Sequence, residues 1–147
     1  MESSKNSRIV HCVGVWDLFH CGHLRFLQRA AACGDSLIVG VETDGFVKQR
    51  KGKAPIIGYL HRMEIINALR FVSSTIPYSD RNYYDVIKHL NANIYVIGEE
   101  YECDGELAQM YAQLRNEGIK IIVLPYTKSI STTAIKLACL KETEKPL

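Results

Sequence analysis

The chain has 147 residues, a length that fits one ordinary domain with a substantial buried core. Its 47% hydrophobic and 23% charged residues are typical of a globular protein, and no apolar run approaches the roughly 20 residues that a membrane-spanning helix needs. A net charge of +2 gives no basis for a nucleic-acid or membrane partner, while the polar N-terminus and five cysteines without a Cys-x-x-Cys pair favour a cytoplasmic protein with free thiols.

Short apolar runs alternate with helical patterns along the chain. The predicted strands are five apolar segments, at residues 9–16, 37–41, 71–77, 94–97 and 119–124. The predicted helices lie at residues 24–33, 59–69, 82–90, 105–117 and 131–139. Residues 44–58, which contain three glycines and a proline, are predicted to form a polar, basic loop. Strands this short and apolar are buried on both faces, so the pattern predicts a five-stranded parallel α/β sheet with helices on both faces.

The whole chain, residues 1–147, is predicted to be a single domain. Residues 1–7 are expected to form a flexible N-terminus and residues 141–147 a short C-terminal tail. In parallel sheets of this kind the ligand binds beyond the carboxyl ends of the strands. The residues that follow each strand are therefore the candidates for function.

Two histidines follow the first strand. His20 and His23 stand three residues apart at a loop-to-helix junction, so they share a face of the first helical turn. A helix start offers free N–H groups to an anion, and Gly22 lets a phosphate approach the backbone closely. A packing cluster is the alternative, and a zinc site lacks the further ligands that zinc needs. The pattern favours a site for a phosphoryl group.

A basic segment follows the second strand. Four cations lie within six residues of one another, at Lys48, Arg50, Lys51 and Lys53. Alone, such a run is typical of a solvated loop. Because it lies at the predicted edge of the site, it is equally suited to holding phosphates.

Polar residues also follow the fourth and fifth strands. Glu100 is suited to binding ribose hydroxyls or a base, and Tyr101 to packing on a ring, although acidic residues also favour a helix start by themselves. The hydroxyls of residues 131–133 open the last helix, where helix capping and phosphate binding use the same geometry.

These segments resemble, in the same order, the motifs of the cytidylyltransferase family of nucleotidyltransferases. Residues 17–24, Asp-Leu-Phe-His-Cys-Gly-His-Leu, resemble its H-x-G-H signature. Residues 51–56 are similar to a loop of small bacterial members, including heptose-phosphate adenylyltransferases. Residues 98–101 resemble the G-D-D-W segment of glycerol-phosphate cytidylyltransferases, and residues 126–133 resemble a second signature, R-T-x-G-x-S-T-T. The resemblance extends over residues 9–136.

Three positions depart from the family pattern. Tyr126 stands in place of the arginine of the second signature, and Ser129 in place of its glycine. Ser73 replaces the acidic residue of an R-Y-V-D-type segment that begins at Arg70. Tyrosine cannot supply the permanent charge and bidentate geometry that arginine offers to phosphate. A non-catalytic, nucleotide-binding regulatory module is therefore one alternative.

The resemblance implies a Rossmann-like fold of the nucleotidyltransferase type and an enzyme that moves CMP from CTP to a small acceptor. The implied acceptor is a phosphorylated or phosphonate compound similar to glycerol 3-phosphate, and pyrophosphate is released. An adenylyltransferase that uses ATP on a sugar phosphate or a flavin is the second alternative. Mg²⁺ is expected to arrive with the nucleotide rather than through a protein metal site, and the family implies a homodimer.

The resemblance also assigns roles to residues. The implied catalytic residues are His20, His23, Lys51, Lys53 and Thr132. The implied nucleotide-binding residues are Gly14, Val15, Trp16, Asp17, Gly22, Gly98, Glu100, Tyr101, Thr127, Ser131, Thr132 and Thr133. The implied acceptor-binding residues are Asp44, Arg62, Arg70 and Tyr126.

Overall fold

The computed structural model describes residues 6–144, in which strands and helices alternate. The strands are β1 (Ile9–Gly14), β2 (Ser36–Glu42), β3 (Ser74–Tyr78), β4 (Ile94–Gly98) and β5 (Lys120–Leu124). The helices are α1 (Cys21–Ala31), α2 (Asp44–Lys51), α3 (Tyr59–Asn67), α4 (Tyr83–His89), α5 (Gly105–Asn116) and α6 (Thr132–Thr143). A short 3₁₀ turn, Glu99–Tyr101, follows β4. No helix within residues 6–144 is long and apolar enough to span a membrane.

The five strands form one parallel sheet in the order β3-β2-β1-β4-β5. The prediction of a five-stranded parallel sheet is therefore confirmed. The chain runs outward from β1 to β3, then returns to the other side of β1 with β4. The strand order reverses between β1 and β4, and it is beyond the carboxyl ends at such a point that open parallel sheets bind their ligands.

Alternate residues of the strands pack on opposite faces of the sheet. Ile94 and Val96 of β4 belong to a buried cluster that includes residues of α1 and α3. Tyr95 and Ile97, on the other face of the same strand, belong to a second cluster with residues of α4 and α5. Helices therefore cover both faces, as predicted, and the sheet carries a separate apolar layer on each side.

The segment at residues 44–58 is only partly the loop that was predicted, because its first half is α2. The Oγ1 of Thr43 accepts a hydrogen bond from the Phe46 amide at 3.4 Å, which caps the helix start. Gly52 ends the helix in the left-handed conformation, with φ of 82°. Phe46 and Val47 are buried and anchor the helix. Lys51 is the last residue of α2.

Other boundaries also differ from the prediction; α1, for example, begins at Cys21 instead of residue 24, and β3 begins at Ser74 instead of residue 71. Strand β1 ends at Gly14 instead of continuing to residue 16, because Trp16 and Leu18 adopt positive φ angles of 59° and 49° that an extended strand excludes. Helix α6 continues to Thr143, so the first residues of the predicted tail at 141–147 are helical. Residues 1–5 of the predicted flexible N-terminus and residues 145–147 of the predicted tail lie outside the described residues.

A histidine lies in the centre of the sheet. His11 of β1 is fully buried, with its Nδ1 2.7 Å from the Ile38 carbonyl and its Nε2 2.7 Å from the Tyr78 hydroxyl. Since a carbonyl only accepts, Nδ1 donates to Ile38 and Nε2 accepts from Tyr78. Burial lowers the pKa of His11 from 6.5 to about 4, and the hydrogen bond to Ile38 opposes this shift only in part. His11 is therefore neutral at neutral pH.

We expect His11 to make the protein less stable as the pH falls. Between pH 6.5 and pH 4 the unfolded chain binds a proton at this residue and the folded chain does not. The free energy of unfolding should therefore be insensitive to His11 above this window and should decrease as the pH falls through it. Urea unfolding across the window measures this slope. His11→Asn should reduce the pH dependence of the free energy of unfolding by the equivalent of up to about one bound proton relative to the wild type. The exposed control His89→Asn should not. An unchanged slope in His11→Asn would contradict the assignment.

Candidate active site

A cavity of about 540 Å³ opens at the carboxyl edge of the sheet. Its floor is formed by the ends of β1, β2, β4 and β5, and its walls by the N-terminal ends of α1 and α6 and the last turn of α2. This volume lies in the range of roughly 300–1,000 Å³ that is usual for small-molecule sites. The cavity therefore lies where the strand order predicts a ligand.

His20 and His23 form a reciprocal cap at the start of α1. The Nδ1 of His20 accepts a hydrogen bond from the Gly22 amide at 3.1 Å, and the Nδ1 of His23 accepts one from the His20 amide at 3.3 Å. The two rings stack with their centroids 3.8 Å apart. Since each Nδ1 is an acceptor, the proton of each neutral ring is on Nε2. Both histidines line the cavity, and each has an Nε2–H to donate to a ligand.

Both imidazoles are held in the neutral form. Burial and, to a smaller extent, the neighbouring His20 together lower the pKa of His23 to about 4, and only Asp17 opposes the shift. Burial also lowers the pKa of His20. Two neutral N–H donors at a helix N-terminus suit an anion, because the helix end adds a partial positive charge without requiring a protonated ring.

Asp17 joins three segments of the chain beside this pair. Its carboxylate oxygens accept hydrogen bonds from the amides of Ile56 and Ile57, both at 2.9 Å. Its backbone carbonyl accepts a hydrogen bond from the Thr132 hydroxyl at 3.0 Å, and the Lys136 ammonium lies 3.7 Å from its Oδ2. Asp17 therefore holds the loop after α2 and the start of α6 against the end of β1.

The loop that follows β1 is fixed by a tryptophan. The indole of Trp16 is buried and donates a hydrogen bond from Nε1 to the Gly40 carbonyl at 3.0 Å. A Cβ atom at Gly14 would lie 2.7 Å from this indole, so only glycine fits there.

Cations collect at the α2 side of the cavity. Arg50, Lys51, Lys53 and Lys136 all line it. Burial lowers the pKa of Lys51, and the nearby charges of Arg50 and Lys136 lower it as well, although Glu42 and Asp17 act in the opposite direction. A bound anion would relieve this repulsion between cations.

The opposite side of the cavity joins the ends of β4 and β5. The Tyr126 amide donates a hydrogen bond to the Glu99 carboxylate at 3.0 Å. Burial raises the pKa of Tyr126, and its hydrogen bond to Glu100 raises it further, so this phenol stays protonated. Ser131 caps α6, with its Oγ accepting a hydrogen bond from the Ala134 amide at 3.0 Å. The N-terminus of α6 therefore lines the cavity in addition to that of α1.

Most of the sequence-predicted site residues line this one cavity. They are Gly14, Val15, Trp16, Asp17, His20, Gly22, His23, Lys51, Lys53, Gly98, Glu100, Tyr101, Tyr126, Thr127, Ser131, Thr132 and Thr133. Three residues predicted to bind the acceptor are not in its lining, namely Asp44, Arg62 and Arg70.

Arg62 and Asp44 pair with each other instead of facing the cavity. Arg62 is fully buried and donates to the carbonyls of Ile57 and Val15 at 2.8 and 2.6 Å. Its Nη2 donates to the Asp44 carboxylate at 2.8 Å. Arg70 is exposed between α3 and β3, at the amino end of that strand, which is the edge of the sheet opposite the cavity. In this structure, none of the three is placed to contact an acceptor in the cavity.

The lining also includes residues that were not among the predicted site residues, and Glu42, Arg50, Tyr83 and Lys136 are polar examples. Glu42 is the last residue of β2, so its position at a strand end was available as a signal. Lys136 follows Thr132 by four residues and shares its helix face, which was also readable from the spacing.

The described residues contain no group of three or more histidine, cysteine or acidic side chains that could hold a metal ion. Asp17, whose charge acts on His23, already accepts hydrogen bonds from two backbone amides. The described residues therefore offer no cluster that would hold Mg²⁺ through protein ligands alone.

A parallel sheet with a cavity at the carboxyl ends of its strands, lined by two neutral imidazoles, lysines and two helix N-termini, has the fold of an α/β nucleotidyltransferase. The chain belongs to the cytidylyltransferase-like family, whose family model matches residues 11–138.

Several named nucleotidyltransferase relatives support this class of enzyme. Glycerol-3-phosphate cytidylyltransferase of Bacillus subtilis (strain 168) is 34% identical over 84% of this chain and 90% of its own. FAD synthase of Thermococcus sibiricus is 32% identical over 86% of this chain and 85% of its own. Bifunctional protein HldE of Citrifermentans bemidjiense is 31% identical over 92% of this chain, which spans only 28% of that relative.

A solved structure shares the fold. The lipopolysaccharide core biosynthesis protein from Thermoplasma volcanium superposes with a TM-score of 0.68 and 24% identity, over 84% of this chain and 99% of its own. This likeness confirms the arrangement of the sheet and helices. The family, in turn, supports binding of a nucleotide substrate.

Proposed function

We propose that the protein transfers CMP from CTP to a small phosphorylated or phosphonate acceptor similar to glycerol 3-phosphate, with release of pyrophosphate. The observation that carries this proposal is the pair of histidines with free Nε2–H groups at the α1 N-terminus, in one cavity that lysines also line. The similarity to a glycerol-3-phosphate cytidylyltransferase over 90% of that enzyme's length supports the choice of CTP and of the acceptor.

The reaction is an in-line attack of an acceptor phosphate oxygen on the α-phosphorus of CTP. The new P–O bond forms as the bond between the α-phosphorus and the bridging oxygen breaks, and the bridging oxygen leaves with pyrophosphate. The attacking oxygen is already ionised at neutral pH, so no strong general base is required. Catalysis is therefore mainly positioning and electrostatic stabilisation.

His20 and His23 stabilise the α-phosphate as negative charge develops on its oxygens. Each ring donates from Nε2, because its Nδ1 is occupied by a backbone amide. Lys51 and Lys53 offset the repulsion between the two anionic reactants. The first-turn amides of α6, which a helix cannot satisfy by itself, hold the leaving phosphates. Mg²⁺ is proposed to be held by the phosphates and water, and no protein residue is assigned to it.

The decisive experiment measures pyrophosphate release with Mg²⁺, for CTP and for ATP, across small phosphates and phosphonates. Release with CTP and glycerol 3-phosphate, or a close polyol phosphate, is the expected result. Nucleotide binding without release across the panel would favour the regulatory module to which Tyr126 and Ser129 point.

An adenylyltransferase is the second candidate. The segment at residues 51–56 and the 32% identity to FAD synthase of Thermococcus sibiricus favour it. The same panel separates the two, because an adenylyltransferase releases pyrophosphate from ATP and not from CTP, with a sugar phosphate or a flavin as acceptor.

Lys51 is expected to contribute more to turnover than Lys53. Its pKa is lowered by burial at the cavity and by neighbouring cations, so an approaching anion gains more there than at a fully solvated lysine. Lys51→Met should lower kcat/KM for the acceptor about tenfold.

Lys53→Met and the exposed Lys120→Met serve as matched comparisons, the second of them at the amino edge of the sheet. A smaller loss in Lys53→Met and none in Lys120→Met are expected. A larger loss in Lys53→Met than in Lys51→Met would reverse the assignment.

A further inference from the structure

Arg50 is held on several sides by protein groups at the edge of the cavity. Glu42, which is 5% exposed, forms an ion pair with its guanidinium. The Tyr101 hydroxyl accepts a further hydrogen bond from Arg50, and the guanidinium carbon lies 5.7 Å from the centroid of the Phe46 ring. The Arg50 Nε is buried and has no hydrogen-bond partner. The guanidinium is therefore engaged by the protein instead of being available to a ligand.

The contacts of Arg50 with Glu42 and Tyr101, here called the Arg50 bridge, connect two strand ends that are not neighbours in the sheet. Glu42 is the last residue of β2, and Tyr101 ends the 3₁₀ turn that follows β4. Strand β1 lies between these two strands. From the last turn of α2, the bridge therefore joins the two sides of the cavity across the carboxyl end of β1.

The last turn of α2 has little else to hold it. The two buried residues of this eight-residue helix, Phe46 and Val47, lie in its first half. Residues 48–49 are exposed to solvent. Arg50 is thus the side chain that anchors the second half of the helix, and Lys51 follows it directly.

Lys51 differs from Arg50 in its partners. It lines the cavity and forms no ion pair within residues 6–144. The charges of Arg50 and Lys136 repel its ammonium. A mobile helix end would let this ammonium turn away into solvent, where the repulsion is screened. A fixed last turn opposes that movement.

Direct binding of a phosphate is the other role open to Arg50. Its ion pair with Glu42 argues against this role, because the carboxylate offsets the charge of the guanidinium and repels an anion. Separating the pair to release Arg50 would also leave a buried carboxylate without its cation, which is strongly unfavourable. Arg50 is therefore better suited to holding the helix than to binding substrate.

We propose that Arg50 is a positioning residue, whose bridge fixes the last turn of α2 and thereby holds Lys51 in the cavity for the acceptor phosphate. Arg50 acts through Lys51 and does not touch the substrate. This inference rests on the role that the proposed function gives to Lys51. It also explains why the two cavity lysines differ, since Lys53 lies beyond Gly52, outside the helix that the bridge fixes.

The first test is a double-mutant cycle with Lys51→Met, measured as kcat/KM for the acceptor. Arg50→Lys keeps the positive charge but loses the planar guanidinium that bonds Glu42 and Tyr101 together. It should lower kcat/KM about fivefold, mainly through KM. In the Lys51→Met background the same substitution should cause no further loss, because the residue through which Arg50 acts is absent. A direct contact with phosphate predicts losses that multiply.

The second test needs no turnover. NMR titration of ¹³C-labelled lysine side chains measures the pKa of Lys51, whose signal is assigned by its loss in Lys51→Met. The wild-type pKa should lie below the ordinary value of 10.5. Arg50→Lys should raise it towards that value as the ammonium moves into solvent. Gln49→Ala, an exposed position on the same turn and outside the cavity lining, should change neither this pKa nor kcat/KM.

Tyr101→Phe provides a second variant if Arg50→Lys does not fold. It keeps the ring and removes only the hydroxyl that accepts from Arg50. The same rise in the Lys51 pKa is expected, with a loss of about threefold in kcat/KM.

Two results would overturn the inference: an unchanged Lys51 pKa in both variants, or a loss in Arg50→Lys that persists in the Lys51→Met background. The proposed transfer fails separately. A Lys51 pKa that responds to Arg50→Lys, without pyrophosphate release from any nucleotide and acceptor, would refute the transfer and support the positioning.

Discussion

Replacing His23 with asparagine is expected to lower turnover by about 10² or more while leaving the fold intact. The asparagine Oδ1 can take over the hydrogen bond that the His23 Nδ1 accepts from the His20 amide, so the helix cap survives. What the variant lacks is the Nε2–H proposed to stabilise the α-phosphate. Steady-state pyrophosphate release measures the loss, and thermal unfolding checks the fold.

The corresponding variant at the cap residue, His20→Asn, should behave in the same way, since asparagine is among the best helix N-caps and keeps the bond from Gly22. His61→Asn is the matched control, because His61 is exposed on α3 and is not part of the cavity lining. Turnover like that of the wild type in both His20→Asn and His23→Asn would remove the central element of the proposed mechanism.

Replacing Arg62 with methionine is expected to destabilise the protein by about 2–4 kcal/mol, because each of the two part-buried carbonyls left without its donor costs about 1–3 kcal/mol. The guanidinium is fully buried and satisfies the carbonyls of Val15 and Ile57 as well as the Asp44 carboxylate. Methionine has a similar length but leaves all three acceptors without this donor. Equilibrium urea unfolding measures the change in the free energy of unfolding.

Arg70→Met, at an exposed position, is the control and should change stability by less than about 0.5 kcal/mol. If Arg62 instead binds the acceptor, as the sequence indicated, its replacement should weaken acceptor binding and leave stability unchanged. Unchanged stability in Arg62→Met, together with a raised KM for the acceptor, would restore that role.

The strands could be predicted because each is a short apolar run between turn signals. The predicted strand at residues 37–41, for example, lies inside β2, where Leu37, Val39 and Val41 are buried. Helix α2 could not be predicted in the same way. Its sequence has only two buried residues, Phe46 and Val47, next to several cations, so it shows no clear apolar periodicity. Gly52 is equally compatible with a loop.

The positions of the motif residues in the site were predictable because they directly follow strands that end at one edge of the sheet. The burial of Arg62 was not, because its partners come from three segments that only the fold brings together. The pairing of Glu42 with Arg50 was hidden for a related reason. The two residues are eight positions apart across a strand-to-helix junction, a separation at which no periodicity predicts contact.

The hydrogen bonds of Asp17 bear on the order in which the protein assembles. They link it to residues that are 39, 40 and 115 positions further along the chain. Contacts at such separations lose more conformational entropy on closure than local ones and depend on the surrounding elements being in place. A partially folded chain in which α6 has not docked would thus have an unfinished site. A nucleotide that binds only the finished site stabilises the complete fold, so protection from proteolysis by the nucleotide would report on folding of the entire chain.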